Sequence, residues 1–507
     1  MNTREHSTMK MRGSADISYL GRTVDQMIWE FMDKEKIDGL TLAIVQAPYI
    51  PRVVGYGYSD RMQRRLASPN TMWPAGPISQ AFAAVAVMQL YEDGRLDIHK
   101  TAGVYIPGLP KAWKDITVLQ LLRHASGIAD YRSLEGFDPH AKWAFDSLTG
   151  LAAGEPLHFT PGAAVEQSAT NFLILTEIVE RISNRTYHDF VTERQIQYLG
   201  LEHTGFREDL SGFAHEDVSL TDNVHQLFKK DKTYINPTEP AASYSSDDAL
   251  IPQVDSTALR GFSDIWASAQ DISHWDIGLA GSVLIHSPEN RAMIYAPWEL
   301  PDGKKVPAVA GWQFYGHRGL MDIKGSVPGY SSFLSRFTDS AELVCVTLMA
   351  NKEGVDFTNL GRRIAGAFGD LLSTNYDDNR LYLMEGQLPV KETVMRLENE
   401  LRNRNIPLFA KFDHAQNALD VGLKLRPTTV LVFGSPQVGT GLMQADQSIS
   451  LELPLRISVW EDETDCTWLA FPRLDMTAQE YGLDKHPVVP RIQSLSEQLV
   501  KIAASVY

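Results

Sequence analysis

The sequence predicts a mixed α/β (α+β) chain of two domains, a large one followed by a smaller α/β domain. Three observations predict it. The chain has 507 residues, more than one ordinary core accommodates. A helix, a strand hairpin and a long apolar helix follow one another in the first hundred residues. A polar, mixed stretch near 374–389 then separates a second alternation of helices and strands. We divide the chain into a polar tail (1–18), a large domain (19–375), a linker (376–389) and a small domain (390–507).

The first helix is read over 19–36, where Leu20, Val24, Met27, Ile28 and Phe31 fall on one face. Gly39 ends it. A buried strand over 40–45 and its hairpin partner over 52–58 come next. The apolar run 81–90 is a helix, and Pro77 suits its first position, where a fixed φ helps and a missing N–H goes unnoticed. In the small domain, 390–403 is an amphipathic helix and 406–412 a strand. Asp413 caps the helix that opens with His414, and 428–433 is another strand. Residues 434–444 are a glycine-spaced turn. Two strands over 451–471 flank a hairpin tip at 461–465, and a helix over 491–505 closes the chain. Gly434 to Gly441 could receive an anion, although tight-turn geometry accounts equally for these glycines.

Composition excludes several functions. A net charge of −16 opposes nucleic-acid binding, and no apolar run is long enough to cross a bilayer. The first 14 residues lack the apolar core of a signal peptide, so a cytoplasmic protein is expected. The two cysteines, Cys345 and Cys466, read as buried inert thiols rather than a disulfide framework. No phosphate-cradling loop, dinucleotide fingerprint or paired-His zinc motif is present. No cofactor and no metal are therefore expected. The expected partner is a small organic ligand or substrate, and a homo-oligomer is compatible with the sequence.

Several motifs resemble those of the serine β-lactamase and penicillin-binding-protein family, class C type. They are Glu92-Asp93-Gly94-Arg95-Leu96 after the apolar helix, Leu121-Leu122-Arg123-His124-Ala125-Ser126-Gly127-Ile128, Leu199-Gly200-Leu201-Glu202-His203-Thr204-Gly205-Phe206, and Trp266-Ala267-Ser268-Ala269-Gln270-Asp271-Ile272. Val327-Pro328-Gly329-Tyr330 followed by a strand over 343–349 resembles the hairpin that closes the family's sheet. The likeness runs over about 19–375, and it implies that family's antiparallel sheet flanked by helices, with an all-α lobe. The small domain resembles the family known as domain of unknown function 302. It carries that family's Asp413-His414-Ala415, Leu425-Arg426-Pro427-Thr428, Phe433-Gly434-Ser435-Pro436 with Gly439-Thr440, and Leu453-Pro454-Leu455.

The resemblance implies nucleophilic catalysis by a Ser-x-x-Lys helix, a Tyr-x-Asn element and a Lys-Thr-Gly or His-x-Gly strand. This chain departs from the first two and leaves the third open between two placements. Pro77 stands in the Ser position and Gln80 in the Lys position. No lysine occurs between Lys36 and Lys100, so no shift of register restores the pair. Ser7-Thr8-Met9-Lys10 matches literally but lies in the polar leader. After Pro161-Gly162, Gln167 replaces Tyr and Ala169 replaces Asn, while Glu166 and Asn171 beside them read as solvent-facing or capping. The literal Tyr234-Ile235-Asn236 lacks the Pro-Gly context. The third motif falls on Lys324 or on His317, according to the landmark used for counting.

The resemblance thus makes His317, Lys324 and Gln80 the candidate catalytic groups, and Pro77, Ser79, Gln167, Ala169 and Tyr330 the candidate substrate contacts. Ser79 reads also as a helix N-terminal serine satisfied by backbone, and His317 as a loop histidine. Three functions fit. The leading one is a divergent small-molecule enzyme performing non-hydrolytic acid/base chemistry, by isomerisation, elimination or cyclisation. A catalytically dead binding or scaffold protein is the second, and a residual serine-type hydrolase or acyltransferase the third.

Overall fold

The computed structural model describes residues 8–13, 17–46, 49–210, 240–295, 298–301, 305–306, 320–337, 344–369, 381–462 and 465–506. It divides into two compact units, the first holding most of the chain up to residue 361, the second residues 17–27 and the chain from 362 onward.

The first unit is built on an antiparallel sheet. Its main path runs through β1 (Thr8–Gly13), β2 (Gly39–Gln46), β3 (Tyr49–Asp60), β4 (Leu320–Val327), β5 (Tyr330–Phe337) and β6 (Val344–Ala350), ordered β1-β3-β2-β6-β5-β4, and a two-residue strand, Arg65–Leu66, also pairs with β3. β1 corrects the expected polar tail, because it pairs with β3 as an edge strand. The central strands β2 and β6 are buried along nearly their whole length. They read as continuous apolar runs because both faces are covered.

Helix α1 (Val24–Glu35) starts five residues later than its periodicity suggests. Leu20 and Gly21 both have positive φ, which a right-handed helix cannot accept. The start is set at Thr23, whose hydroxyl accepts from the Gln26 N–H while the Gln26 side chain accepts from the Thr23 N–H, a reciprocal cap. The helix ends at Lys36, φ +55°, and not at Gly39. That glycine belongs to β2, where a Cβ would lie 2.0 Å from the Tyr58 carbonyl oxygen.

Helix α2 (Ser79–Glu92) is buried on every side from Ser79 to Leu90. An all-round apolar helix belongs in the middle of a core, and α2 packs there against α4 (Ala169–Ser183), given α3 as Val118–Leu122. A short 3₁₀ turn, Gly76–Ile78, leads into α2, and β4 and β5 pack on that turn.

The second unit carries a five-stranded antiparallel sheet: β7 (Leu381–Gly386), β8 (Leu408–Asp413), β9 (Thr428–Phe433), β10 (Leu455–Glu461) and β11 (Thr467–Pro472), ordered β7-β11-β10-β9-β8. β7 corrects the linker expected over 376–389. Its Tyr382, Leu383 and Met384 are buried and it pairs with β11. Helix α5 (Val390–Asn403) matches its amphipathic pattern. Asp413 caps α6 (His414–Asp420) by accepting from the Gln416 N–H. The expected glycine-spaced turn is instead a helix, α7 (Pro436–Ala445), with proline in its first turn. Helix α8 (Val489–Ala504) packs on α5. Leu397, Leu431, Phe433, Ile457 and Leu499 share the core of this unit. Both cysteines are free thiols, and no helix among the described residues is long and apolar enough to cross a membrane.

Candidate functional site

Pro77 is buried within the 3₁₀ turn before α2. Proline brings neither a side-chain hydroxyl nor a backbone N–H to this position. The space beside it is taken as well. Gly325 of β4 comes so near that a Cβ there would stand 2.4 Å from Pro77 Cγ. On the other side Ser332 Oγ donates to the Ala75 carbonyl at 2.7 Å, tying β5 to the same turn.

Gln80, one turn on, is 1% exposed. Its Oε1 lies 2.8 Å from His124 Nε2. The direction of this bond follows from the other side of the ring. His124 Nδ1 faces the Ser168 backbone N–H and the Asn171 side-chain amide, each at 3.2 Å. A backbone N–H only donates, so Nδ1 accepts, the ring proton sits on Nε2, and Nε2–H donates to Gln80. Asn171 Oδ1 then accepts from Ser126 Oγ at 2.6 Å, and Ser126 Oγ accepts from the Ile128 N–H at 3.0 Å. The result is a buried, directed chain from Ser126 through Asn171 and His124 to Gln80. Burial pulls the His124 pKa down to about 3, so the imidazole is neutral at neutral pH.

Local sequence builds this chain. Thr117 and Gln120 form a capping box at the start of α3. His124 follows its end with φ +54°, and the Ala125 N–H returns to the Gln120 carbonyl. Gly127, φ +75°, lies where a Cβ would meet the Phe159 carbonyl oxygen at 2.4 Å. The His-x-Ser-Gly segment is thereby folded back onto α4, which presents Asn171.

The expected site residues distribute unevenly around this centre. Pro77 and Gln80 are in it. Ser79 is buried and its Oγ accepts from the Ile265 N–H at 3.3 Å, which is the backbone-satisfied role. Ala169 is buried at the start of α4, while Gln167 is exposed. Lys324 lies one residue from Gly325 and so points to the face of β4 away from Pro77. Its ammonium donates to both Asp356 carboxylate oxygens at 2.9 Å and to Thr358 Oγ1 at 2.5 Å. Tyr330 is buried, its hydroxyl donating to the Ala241 carbonyl and accepting from Gln253 Nε2, both at 2.9 Å. Burial pushes this phenol up. His317 and Tyr234-Ile235-Asn236 lie outside the described residues.

Asn171, read from sequence as solvent-facing or capping, is fully buried. His124, Ser126 and Asn171 are thus neighbours of Gln80 that sequence reasoning did not assign to the site. The His-x-Ser-Gly segment was the available signal, since its histidine and serine sit two apart in a turn. Glu166 is exposed and pairs with His158 at 2.7 Å. Among the described residues, no cluster of three or more His, Cys, Asp or Glu side chains could hold a metal.

A family model described as Beta-lactamase matches residues 24–368, and one described as Domain of unknown function DUF302 matches 384–506. Protein flp of Staphylococcus aureus is 26% identical over 199 residues, 38% of this chain and 40% of that protein. The matched part therefore spans less than half of that relative. Among solved structures, FmtA from Staphylococcus aureus superposes with a TM-score of 0.55 at 19% identity, covering 74% of this chain and 95% of FmtA. The octameric penicillin-binding protein homologue from Pyrococcus abyssi gives 0.52 at 17%, covering 88% and 89%. At such identities the likeness is one of fold.

Proposed function

The chain belongs to the beta-lactamase family, and on that premise we propose that its first unit is a non-acylating member, a catalytically inactive binding or scaffold domain whose nucleophile position is closed. The observation that carries this reading is the packing at residue 77. The position that would hold a nucleophile is a buried proline against which β4 closes.

The neighbouring polar groups support the same reading. The directed chain ends on an amide, Gln80 Nε2, which donates a hydrogen bond but takes up no proton at neutral pH. Acid/base chemistry such as isomerisation, elimination or cyclisation requires a group that moves a proton within reach of the substrate. Lys324 is engaged by Asp356 and Thr358. His124 has Nε2–H committed to Gln80 and a pKa far below neutrality.

Intact-mass spectrometry after incubation with a fluorescent penicillin and with a nitrophenyl ester tests the proposal. We expect no adduct and no burst of nitrophenolate. An adduct mapped to one serine would refute non-acylation, and steady turnover of any ligand found to bind would refute catalytic inactivity. Pro77→Ser combined with Gln80→Lys is expected to leave the protein unacylated, because Gln167 and Ala169 still occupy the second motif.

A further inference from the structure

The second unit contains a cavity of about 290 Å³ between β8, α7, the loop before β10 and α8. Phe409, Met443, Leu453, Ile492 and Leu495 supply apolar walls, and none of its lining residues carries a charge. Two polar side chains reach it, Ser435 and Ser450. Ser435 occupies the N-cap of α7, yet its hydroxyl makes no capping bond to the helix.

Two glycines in the lining are unexplained by the protein itself. Neither Gly434 nor Gly439 has positive φ, so the tight-turn reading of these glycines does not hold. Close packing does not demand them either. A Cβ on Gly434 would meet Phe409 Cε2 at 3.5 Å, and one on Gly439 would meet Leu453 Cδ1 at 3.6 Å, both ordinary contacts. Gly439 also sits inside α7, where glycine costs about 1 kcal/mol relative to alanine. What each glycine does is leave room in the cavity. Two of the sequence segments that carry the domain-302 resemblance supply lining residues to this one space, 434–439 and 453–455.

We infer that this cavity is a binding site for a small, neutral, mainly apolar molecule carrying one oxygen function, a hydroxyl or carbonyl, directed to Ser435. The lining fixes each part of that description. Apolar walls without a countercharge favour a neutral molecule over an ion. The volume lies at the lower end of the range for small-molecule sites, so the ligand is about the size of a medium-chain alcohol or a one-ring to two-ring aromatic. The site is separate from the Pro77 centre and does not depend on the reading of that centre.

The test uses the full chain with the neutral dye N-phenylnaphthylamine, displaced by octanol or by octanoate. We expect saturable dye fluorescence, displacement by octanol, octanoate at least about tenfold weaker, and a shift of the Met443 methyl resonance on octanol binding. Gly439→Leu should weaken dye and octanol binding by at least about tenfold. Gly441→Leu, in the same helix but with nothing within 4 Å of its Cβ, should bind as wild type. If Gly439→Leu fails to fold, Gly439→Ala serves in its place, with an expected loss of about threefold. Absent dye binding, equal effects of the Gly439 and Gly441 changes, an unmoved Met443 resonance, or octanoate competing as well as octanol would each overturn the proposal.

Discussion

Gly325 and Gly439 ask the same question of two regions and receive opposite answers. At Gly325 a Cβ would collide with the Pro77 ring at 2.4 Å; at Gly439 it would meet its nearest neighbour at 3.6 Å. The first glycine is required by protein packed against it. The second keeps open a space that no protein atom fills. In the first unit, then, the turn at Pro77 is packed against β4 and the polar groups beside it bond to one another. In the second unit, two sequence segments border a cavity whose vacancy costs helix stability. A recognisable fold says where a site used to be expected; local packing says whether anything can still enter.

The sharpest way to break this contrast is to restore the missing cation. Gln80→Lys would place a buried ammonium against His124 Nε2–H, donor against donor. The imidazole cannot answer by moving its proton to Nδ1, because the Ser168 N–H already points there. An uncompensated buried charge costs about 3–5 kcal/mol, and urea unfolding should show a loss of that size. Unchanged stability would mean that the centre still adapts to a lysine, against the closed reading. Gln80→Met leaves one N–H unsatisfied and should cost less, about 1–3 kcal/mol.

Gly325→Ala comes next. Forced overpacking against the Pro77 ring should destabilise by about 1–3 kcal/mol. The loss should shrink in a Pro77→Gly background, a coupling of about 1 kcal/mol or more in a double-mutant cycle. Strict additivity of the two changes would show that the ring is not what excludes the methyl group.

Acid tests the polar half of the same centre. The His124 pKa is about 3 in the folded protein and about 6.5 when unfolded. The unfolded state therefore binds the proton more readily. The stability it contributes is complete above about pH 6.5 and falls as pH drops toward 3, reaching a loss of about 2 kcal/mol near pH 5. Urea midpoints between pH 7 and 5 should follow this slope, and His124→Gln should flatten it. A wild-type profile that is flat across that window would contradict a buried neutral imidazole.

Much of this molecule is legible in its sequence, and the failures have physical causes. The strands over 40–45 and 428–433 and the helix over 390–403 declare themselves through burial pattern and periodicity. Helix α1 does not, because a reciprocal Thr23–Gln26 cap and two positive φ values override an apolar face that continues upstream. β7 does not declare itself either, because an edge strand of six residues leaves a weak signal between polar flanks. That Pro77 stands where the resemblance expects a serine needs only the one-letter string. The polar chain beside it does not appear there, since Gln80, His124 and Asn171 are up to 91 positions apart in sequence and become neighbours only when α2, the turn after α3 and α4 meet.

The smallest predicted effect is also the one that most directly separates the two glycines. Gly439→Ala removes backbone freedom from the unfolded chain and adds a methyl group that meets only ordinary contacts. It should stabilise the protein by up to about 1 kcal/mol, raising the thermal midpoint, whereas Gly325→Ala lowers it. Gly441→Ala, in the same helix with an open Cβ position, should give a similar gain and calibrates the helix contribution. If Gly439→Ala matches Gly441→Ala in stability, the room at Gly439 is spare as far as folding is concerned, and a gain in stability has been forgone to keep it. If Gly439→Ala destabilises instead, the cavity wall is already tight there, and Gly439 belongs with Gly325 as a glycine demanded by packing.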